Sequence, residues 1–543
     1  MAYRGMVTSP NALASQSGIH ILRQGGTAIE SAVAIAASLA VVYPHMCSLG
    51  GDAFWLIANA KEKSLIALNA SGRAGLRATR DFYRKNNCAR IPYKGYRAAI
   101  TVPGMVSGLE AALRYNREHL GETLPLASLF ADAIDYAANG LPQSTSFVRA
   151  MHTALTRNAH DPKTYPLYQE LTDIFLPNGK ESALGDPLIQ SDLADVLRTL
   201  VREGLNSFYT GSVAQAILSA MQKNGGLLTE EDFARNKATW DTPISVAYRE
   251  YQAFNTPPNS QGMASLAILN CLNNFDVARL GEGTADYYHL LVEATKEAFR
   301  DRDRYLTDPD FSDIPVAQLL SEEHGRSQAA RIAMDRAAPW DAPLDPMGDT
   351  VWFGVVDSFG NAVSCIQSIY HDFGAGIVPK GTGIILQNRG TFFSLDPAHP
   401  NRLEPGKRTF HTLNPAMLYK DGAPYLIYGT MGGEGQPQTQ AAIVTRLVDF
   451  GLSPSEAIYA PRWLFGSAFG APSANLTLES RIDEACQKDL ASRGHSIRLT
   501  EPFSEIMGHA GAIRIEKRSA CTRGGFLLQG ASDVRSDGAA LGY

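Results

Sequence analysis

The 543-residue chain lacks the features that mark disulfide-rich, metal-binding or nucleic-acid-binding proteins. Its six cysteines show no paired spacing, so neither a disulfide framework nor a zinc site is indicated. With 49 basic and 55 acidic residues, the net charge is −6, which leaves no electrostatic footprint for nucleic acid or an anionic membrane. The histidines lack metal-ligand spacing, and we expect neither a metal nor an organic cofactor.

Long uninterrupted hydrophobic runs are also missing from the sequence. The longest apolar stretch, residues 28–43, contains Glu30, Ser31 and Ser38, which indicates a buried helix rather than a membrane span. The first residues show no apolar signal core, and we expect a cytoplasmic protein with reduced thiols. No low-complexity run or short repeat marks a linker, so we expect one large, interleaved core despite the length.

Hydrophobic periodicity and turn residues predict a chain that mixes helices and strands. Two β-rich zones flanked by helices are consistent with a layered α/β arrangement. Ser191 is a candidate N-cap. The predicted helices are 13–23, 28–42, 126–138, 193–200, 213–223, 287–305, 439–450 and 484–493, and the predicted strands are 54–57, 65–69, 244–254, 350–356, 362–368, 512–515 and 525–528.

A strand–turn–strand pattern begins at Thr350, which follows a loop containing Pro and Gly. β-Branched and aromatic residues lie on both sides of a turn at Gly360 and Asn361. A threonine at the head of a strand is usually just a good strand former. If the chain is cut between Asp349 and Thr350, however, the freed α-amine becomes a base for the hydroxyl of the same residue. The residues alone leave both interpretations open.

The passage from Thr350 resembles the start of the small subunit in the γ-glutamyltransferase superfamily. Members of that superfamily cleave themselves before the threonine of a Thr-x-x-Phe/Tyr-x-Val-Val-Asp-x-x-Gly-Asn-Ala-Val-Ser pattern, which this chain contains. The resemblance covers nearly the whole chain and is therefore specific. Further ordered matches lie at 5–10, 13–15, 25–28, 44–51, 101–104, 373–376, 432–433 and 533–538.

The resemblance implies the fold of the N-terminal-nucleophile hydrolases, an αββα four-layer sandwich with two antiparallel sheets between helical layers. It also implies self-cleavage between Asp349 and Thr350, giving a large subunit, 1–349, and a small subunit, 350–543, that interleave in one core. The expected partners are these two subunits and a small-molecule amide, with no nucleic acid and no membrane. A homo-oligomer of processed heterodimers is left open.

The catalytic parts implied by the resemblance begin with Thr350 as nucleophile and its own α-amine as base. The reference pKa of such an amine is about 7.7–8.0, so it is partly neutral at physiological pH. Gly432 and Gly433 are the implied oxyanion donors, although composition alone fits a flexible strand-to-helix turn equally well. Ser368 matches a hydroxyl residue near the nucleophile, although the residues alone fit a strand serine bonded to the backbone equally well. Asn388 is a weaker polar candidate.

The residues that bind the γ-glutamyl zwitterion in true γ-glutamyltransferases are largely replaced in this chain. Their carboxylate-binding arginine falls on Ser71, and their serine pair falls on His411 and Thr412. Their amine-binding Asn and Asp fall on Tyr370 and Phe392. Because an unpaired charge is costly to bury, we expect this site to accept a different acyl group.

The replacements offer chemistry of their own. Tyr370 and Phe392 would make the pocket smaller or more apolar, while Arg389, His411 and Arg73 are candidates to bind a differently placed carboxylate. On the residues alone, a loop arginine is usually solvated and a lone histidine usually bonds its neighbours. Residues 386–390 and 408–415 are similar to the branch with cephalosporin/glutaryl acylases and oxamate amidohydrolase.

Three hypotheses follow. The first is a self-processing amidohydrolase that acts on a small acidic amide, in the manner of oxamate amidohydrolase, or on a longer acyl amide. The second is a γ-glutamyltransferase or glutathione hydrolase that binds the glutamyl group through different residues. The third is an unprocessed, non-catalytic homologue, against which the intact Thr350, Gly432 and Gly433 argue.

Overall fold

The computed structural model describes residues 1–121, 124–176, 179–340, 348–466, 473–517 and 525–543. Most of the predicted loop before Thr350, and Cys521, therefore lie outside the described residues. Within the described ranges the strands are β1 (Met6–Ser9), β2 (Asp52–Asn59), β3 (Ser64–Ala70), β4 (Leu141–Pro142), β5 (Pro187–Leu188), β6 (Thr239–Asp241), β7 (Ile244–Tyr248), β8 (Tyr251–Asn255), β9 (Asp349–Val356), β10 (Ala362–Tyr370), β11 (Ala416–Lys420), β12 (Ala423–Thr430), β13 (Trp463–Phe465), β14 (Leu476–Glu479), β15 (Ile497–Thr500), β16 (Ala510–Lys517), β17 (Phe526–Ser532) and β18 (Ala539–Gly542).

The α-helices of the same ranges connect and cover these strands. No helix among the described residues is both long and apolar enough to cross a bilayer. The helices are α1 (Ala12–Arg23), α2 (Ala28–Val42), α3 (Arg80–Lys85), α4 (Met105–Tyr115), α5 (Leu126–Leu129), α6 (Ala131–Asn139), α7 (Thr145–His160), α8 (Gln169–Phe175), α9 (Ser191–Glu203), α10 (Ser207–Thr210), α11 (Ser212–Lys223), α12 (Glu230–Arg235), α13 (Gly262–Leu272), α14 (Val277–Leu280), α15 (Ala285–Tyr305), α16 (Val316–Leu319), α17 (Glu322–Ala329), α18 (Gln436–Val448), α19 (Pro454–Tyr459) and α20 (Glu484–Ser492).

Helices α1 and α2 agree with the predicted helices to within one residue. Thr27 caps α2 in a reciprocal box: its hydroxyl accepts from the Glu30 N–H, and the Glu30 carboxylate accepts from the Thr27 N–H. This arrangement satisfies two amides that a helix start otherwise leaves unpaired. Every residue of α2 is buried, which confirms the prediction of a buried helix.

Three predictions of local structure are wrong. The predicted strand 244–254 is a hairpin of β7 and β8. Its turn places Arg249 at a left-handed φ of +55°. Because no Gly, Asn or Asp marks this turn, the sequence pattern predicts one continuous strand. Ser191 is the first residue of α9, with Gln190 at the cap position and no side-chain cap. The predicted helix 126–138 is interrupted at Phe130 between α5 and α6, where the apolar periodicity continues through the break.

Two antiparallel sheets form the middle of the fold. The first sheet has the order β18-β1-β9-β10-β2-β3-β6, and the second has the order β17-β16-β12-β11-β8-β7. Every neighbouring pair in both sheets is antiparallel. Each sheet contains strands from before and after residue 350, so the two halves of the sequence share both sheets.

The hydrophobic core is arranged in layers that follow the sheets. One cluster lies between the first sheet and helices including α1, α2 and α4. A second lies between the second sheet and helices including α13, α15 and α18. A third, smaller cluster joins the facing surfaces of the two sheets. This order of helix, sheet, sheet and helix confirms the predicted αββα sandwich.

Trp352 anchors the contact between the sheets. Its indole N–H donates to Ser364 Oγ at 2.9 Å, and its ring lies against Gly429 and Gly511 of the facing sheet. A Cβ at Gly429 would come within 2.2 Å of the indole ring, so this glycine is required for close approach of the two sheets.

We expect Trp352→Ala to destabilise the protein by about 3–5 kcal/mol, because it leaves a cavity between the two sheets. Phe359→Ala is the matched control: Phe359 lies in the turn of the same hairpin and is 68% exposed, so its loss should change stability by less than about 0.5 kcal/mol. Thermal unfolding of both variants measures the difference. Similar shifts for the two variants would contradict this role of Trp352.

Candidate active site

The register of the first sheet places Thr350, Ser368 and Asp52 next to one another at one end. Ser368 pairs directly with Asp52, and β10 has an irregularity between Gln367 and Tyr370 where it passes residues 349–351 of β9. Side chains alternate between the two faces of a strand. Since Trp352 faces the second sheet, Thr350 lies on that face as well.

Thr350 is buried, with 1% of its surface exposed. Its hydroxyl oxygen has no hydrogen-bond partner among the described residues, which is unusual for a buried polar group. The residue two positions earlier, Gly348, packs so closely on Tyr370 that a Cβ would lie 2.2 Å from its ring. Glycine is therefore required at 348 for the chain to reach the start of β9 along this path.

A glycine turn from the facing sheet approaches the same end of the sandwich. Gly354 of β9 lies near Ile427 of β12, and Trp352 of β9 lies against Gly429 of β12. The start of β9, at Thr350, therefore lies towards the C-terminal end of β12. The strand ends at Thr430 and is followed by Gly432 and Gly433, with φ values of +120° and +49°. Such angles favour glycine and let backbone N–H groups point into a concave site.

Gln261 holds this turn in place. Its side-chain amide donates to the carbonyl oxygens of Gly433 and Thr412, at 2.8 Å each. Arg302, which is buried, in turn contacts Gln261 Oε1 and pairs with Glu434 at 3.2 Å. The turn that carries the predicted oxyanion donors is therefore fixed by a buried polar network.

Arg389 is the most unusual charged group near Thr350. It is fully buried, and its guanidinium donates from Nη1 to Thr412 Oγ1 at 2.9 Å and from Nη2 to Ser368 Oγ at 3.1 Å. Its face lies over the rings of Tyr370 and Phe392, at 4.5 and 5.5 Å from their centres.

Among the described residues, the guanidinium of Arg389 bonds hydroxyl groups rather than a carboxylate, and its Nε–H has no hydrogen-bond partner. Burial lowers the pKa of its guanidinium to about 10, partly offset by Tyr370 and Asp52. A buried cation without a direct counter-ion is costly. The unpartnered Nε–H is therefore a donor that suits an anionic ligand.

Asp52 and His411 form a buried pair beside Arg389. The Asp52 carboxylate accepts hydrogen bonds from the N–H groups of Gly72 and Gly104, from Gln387 Nε2, and from His411 Nε2 at 3.1 Å. His411 Nδ1 accepts from the Leu413 N–H. Burial holds the pKa of His411 well below its usual value. Both ring nitrogens of His411 are thus engaged within the protein.

Sequence reasoning missed Asp52, although a signal for it existed. It is the single charged residue of a strand whose next six residues are apolar, and it directly follows the Gly50-Gly51 pair. A buried strand that begins with a carboxylate must supply that carboxylate with donors. Here the donors come from four separate loops, which no local pattern reveals.

The other predicted substrate-binding residues have different surroundings. Asn388 donates to the Tyr93 carbonyl at 2.8 Å and accepts from the His371 N–H at 3.2 Å, so it supports the loop. Arg73 is 36% exposed on its side chain and pairs with Asp308 and Asp310. It lines a separate cavity of about 500 Å³, and the structure does not bring it into contact with the cluster around Arg389.

Taken together, the site offers a buried hydroxyl, a glycine turn and a buried guanidinium at one end of the sandwich. A hydroxyl that gains a base can attack a carbonyl. Backbone amides of a fixed turn can stabilise the oxyanion that results. A guanidinium can bind a carboxylate through two parallel hydrogen bonds. These elements suit acyl transfer from a carboxylate-bearing amide.

Comparisons with known proteins identify the family of this chain. Residues 14–543 match the family described as Gamma-glutamyltranspeptidase. The chain is 45% identical over 539 residues to the glutathione hydrolase-like YwrD proenzyme of Bacillus subtilis (strain 168), and 44% identical over 539 residues to the oxamate amidohydrolase proenzyme of Klebsiella pneumoniae; each match covers 99% of this chain and 98% of the relative. The crystal structure of cephalosporin acylase from Bacillus halodurans has a TM-score of 0.90 at 35% identity, covering 100% of this chain and 96% of that one.

Asp52 leads to a prediction about pH and stability. Burial raises its pKa from 3.8 to about 6, so the folded protein binds this proton more tightly than the unfolded chain does. The stabilisation from that proton is complete below about pH 4 and is lost as the pH rises through about 6. The stability difference between wild type and Asp52→Asn should therefore shift against the wild type by on the order of 2 kcal/mol between pH 4.5 and 7.

Unfolding by denaturant at the two pH values measures this shift. Asp81→Asn is the control, because Asp81 is exposed and pairs with Arg84 at the surface; its difference from wild type should stay nearly constant. A pH-independent difference for Asp52→Asn would contradict the raised pKa.

Proposed function

Because the chain belongs to the γ-glutamyltranspeptidase family, whose members hydrolyse or transfer across C–N bonds, we propose that it is a self-processing amidohydrolase with Thr350 as nucleophile and a small acidic amide such as oxamate as substrate. The observation that carries the choice of substrate is the buried guanidinium of Arg389. It donates to Ser368, which lies beside Thr350 in the first sheet, and its Nε–H has no partner among the described residues. The 44% identity to an oxamate amidohydrolase proenzyme supports the same choice.

Processing comes first in this proposal. The hydroxyl of Thr350 attacks the carbonyl carbon of Asp349, the peptide C–N bond breaks, and the acyl group passes from nitrogen to oxygen. Water then opens the ester, leaving a carboxylate on Asp349 and a free α-amine on Thr350. The buried, unpartnered hydroxyl oxygen supports this step, since no internal hydrogen bond among the described residues has to be broken first.

Turnover repeats the chemistry on an external amide. The α-amine of Thr350 takes the proton of its hydroxyl, and the oxygen attacks the substrate carbonyl. The N–H groups of Gly432 and Gly433 stabilise the oxyanion, and one such donor is typically worth about 3 kcal/mol in the barrier. The amine departs with a proton, and water hydrolyses the ester on Thr350. Oxamate would yield oxalate and ammonia.

The position of Arg389 suits a substrate whose carboxylate is close to its amide. Nη2 already donates to Ser368, which lies on β10 beside Thr350 of β9. A carboxylate bound by Nε and Nη2 would therefore lie near the nucleophile. In oxamate the carboxylate carbon and the amide carbon are directly bonded. The rings of Tyr370 and Phe392 cover the guanidinium face, which supports a narrow pocket.

A longer acyl amide is the alternative within the same mechanism, favoured by the likeness to cephalosporin acylase. A γ-glutamyl substrate has less support. The hydroxyl of Ser71 donates to Asn69 and accepts from Asn259, and His411 is bonded to Asp52, so two positions of the glutamyl-binding set serve the protein's own structure.

An assay of the processed protein with oxamate, its uncharged diamide oxamide, glutaryl-p-nitroanilide and γ-glutamyl-p-nitroanilide tests this proposal. We expect the highest kcat/KM with oxamate, because only oxamate places a carboxylate next to the reacting amide. Preferred turnover of the γ-glutamyl compound would overturn the proposal. Preference for the glutaryl compound would retain the mechanism but replace the substrate.

Arg389→Met should lower kcat/KM for oxamate by roughly 10- to 100-fold, the loss expected for a charge-assisted hydrogen-bonded contact. The same change should leave oxamide hydrolysis much less affected. Arg389→Lys keeps the charge but loses the planar donor pair, so an intermediate loss is expected. Arg84→Met, at an exposed surface pair, is the control. Equal losses for oxamate and oxamide in Arg389→Met would contradict a carboxylate-binding role.

A further inference from the structure

Away from the Thr350 site, three metal-ligating side chains meet in the helical layer of the second sheet. His289 and Glu293 lie one turn apart on α15, and His495 follows α20. All three are buried, and one possible ligand atom from each lies within 4.8 Å of the other two. Two imidazoles and a carboxylate are a common ligand set for Zn²⁺.

The hydrogen bonds of His289 orient its ring for a ligand. Its Nε2–H donates to the carbonyl oxygen of Ala333 at 2.9 Å, which leaves the lone pair of Nδ1 directed into the cluster. Metal-binding histidines are usually fixed in this way by a backbone carbonyl or a carboxylate. The Nδ1 atom faces His495 Nε2 at 2.8 Å.

The distances require a small adjustment for a metal. Two nitrogens bound tetrahedrally to Zn²⁺ at about 2.0–2.1 Å lie about 3.3 Å apart, so the two rings would have to separate by about 0.5 Å. The proton that His495 Nε2 now donates to His289 Nδ1 would move to Nδ1 of the His495 ring, so that both facing nitrogens present lone pairs to the metal. Three protein ligands leave a fourth position for water.

Two positively charged residues, Lys296 and Arg493, lie near this site. Glu293 accepts from Lys296 at 2.7 Å and from the Ala338 N–H at 3.0 Å, so Lys296 competes for the carboxylate. Arg493 also lies nearby but is paired with Asp286 and Asp489. The cluster and its neighbours therefore hold three carboxylates against two cations, which does not oppose a divalent cation.

We propose that His289, Glu293 and His495 form a binding site for Zn²⁺ or a chemically similar divalent transition metal. The site joins residues from both sides of position 350. It also contacts residues 333–338, which lead towards the predicted cut, through Ala333 and Ala338. If the chain is cleaved, the bound metal holds the large and small subunits together. His495 lies about two hundred positions after His289 and Glu293, so no local spacing motif reveals the site. The proposal revises the expectation of no metal.

Titration of the full-length, metal-free protein with ZnCl2 by calorimetry tests this proposal. We expect a single Zn²⁺ per chain, together with a rise in Tm of about 2 °C or more when free Zn²⁺ is about 100-fold above Kd. Co²⁺ should bind in its place and give the visible spectrum of a tetrahedral site. His495→Ala and the double variant His289→Ala/His495→Ala should lose both signals. His152→Ala, an exposed histidine paired with Glu181, is the control and should keep them.

A second variant separates a metal site from a simple hydrogen bond between two histidines. Lys296→Met removes the cation that competes for Glu293 and should tighten Zn²⁺ binding severalfold. The proposal is overturned if the wild type does not bind Zn²⁺ at micromolar concentration, or if the double histidine variant retains the bound metal. It is also overturned if Lys296→Met leaves the affinity unchanged. None of these readouts depends on catalysis at Thr350.

Discussion

The register between β9, β10 and β2 is the constraint on which the rest of the site depends. It places Thr350, Ser368 and Asp52 in one row on the face that meets the second sheet. A slip of any one of these strands by one residue would turn its side chain in this row to the helical face. The contact of Trp352 with Gly429 fixes the facing sheet against this row, and it directs the end of β12 and the glycine turn that follows it towards the same end of the sandwich.

The second feature of this end of the sandwich is its pair of buried charged groups. Arg389 and Asp52 are both buried and influence each other's pKa, but no direct ion pair joins them. Asp52 is satisfied by four donors from the protein, whereas Arg389 retains an unpartnered Nε–H among the described residues. The buried carboxylate of Asp52 therefore needs no further partner, whereas the buried guanidinium of Arg389 has a donor that a ligand can use. That asymmetry is the basis for proposing an acidic amide as the substrate rather than a zwitterionic γ-glutamyl group.

Much of the fold was predictable, because helices α1 and α2 and the β9–β10 hairpin follow from local periodicity and caps. The hairpin β7–β8 was not, because its turn uses Arg249 where glycine or asparagine is usual. In the site, the roles of Thr350 and the glycine pair are predicted from a family resemblance and could not be predicted from spacing. Asp52 and the partners of His411 depend on contacts between residues hundreds of positions apart, which composition and periodicity do not encode.

The central claim is that backbone cleavage before Thr350 creates the catalytic amine. Intact-mass analysis of purified wild type and Thr350→Ala tests it most directly. The account predicts two wild-type fragments, 1–349 and 350–543, with the smaller one beginning Thr-Val-Trp, and a single Thr350→Ala chain near 58.7 kDa. A wild-type protein that remains uncut at this bond and still hydrolyses its amide substrate would contradict the account.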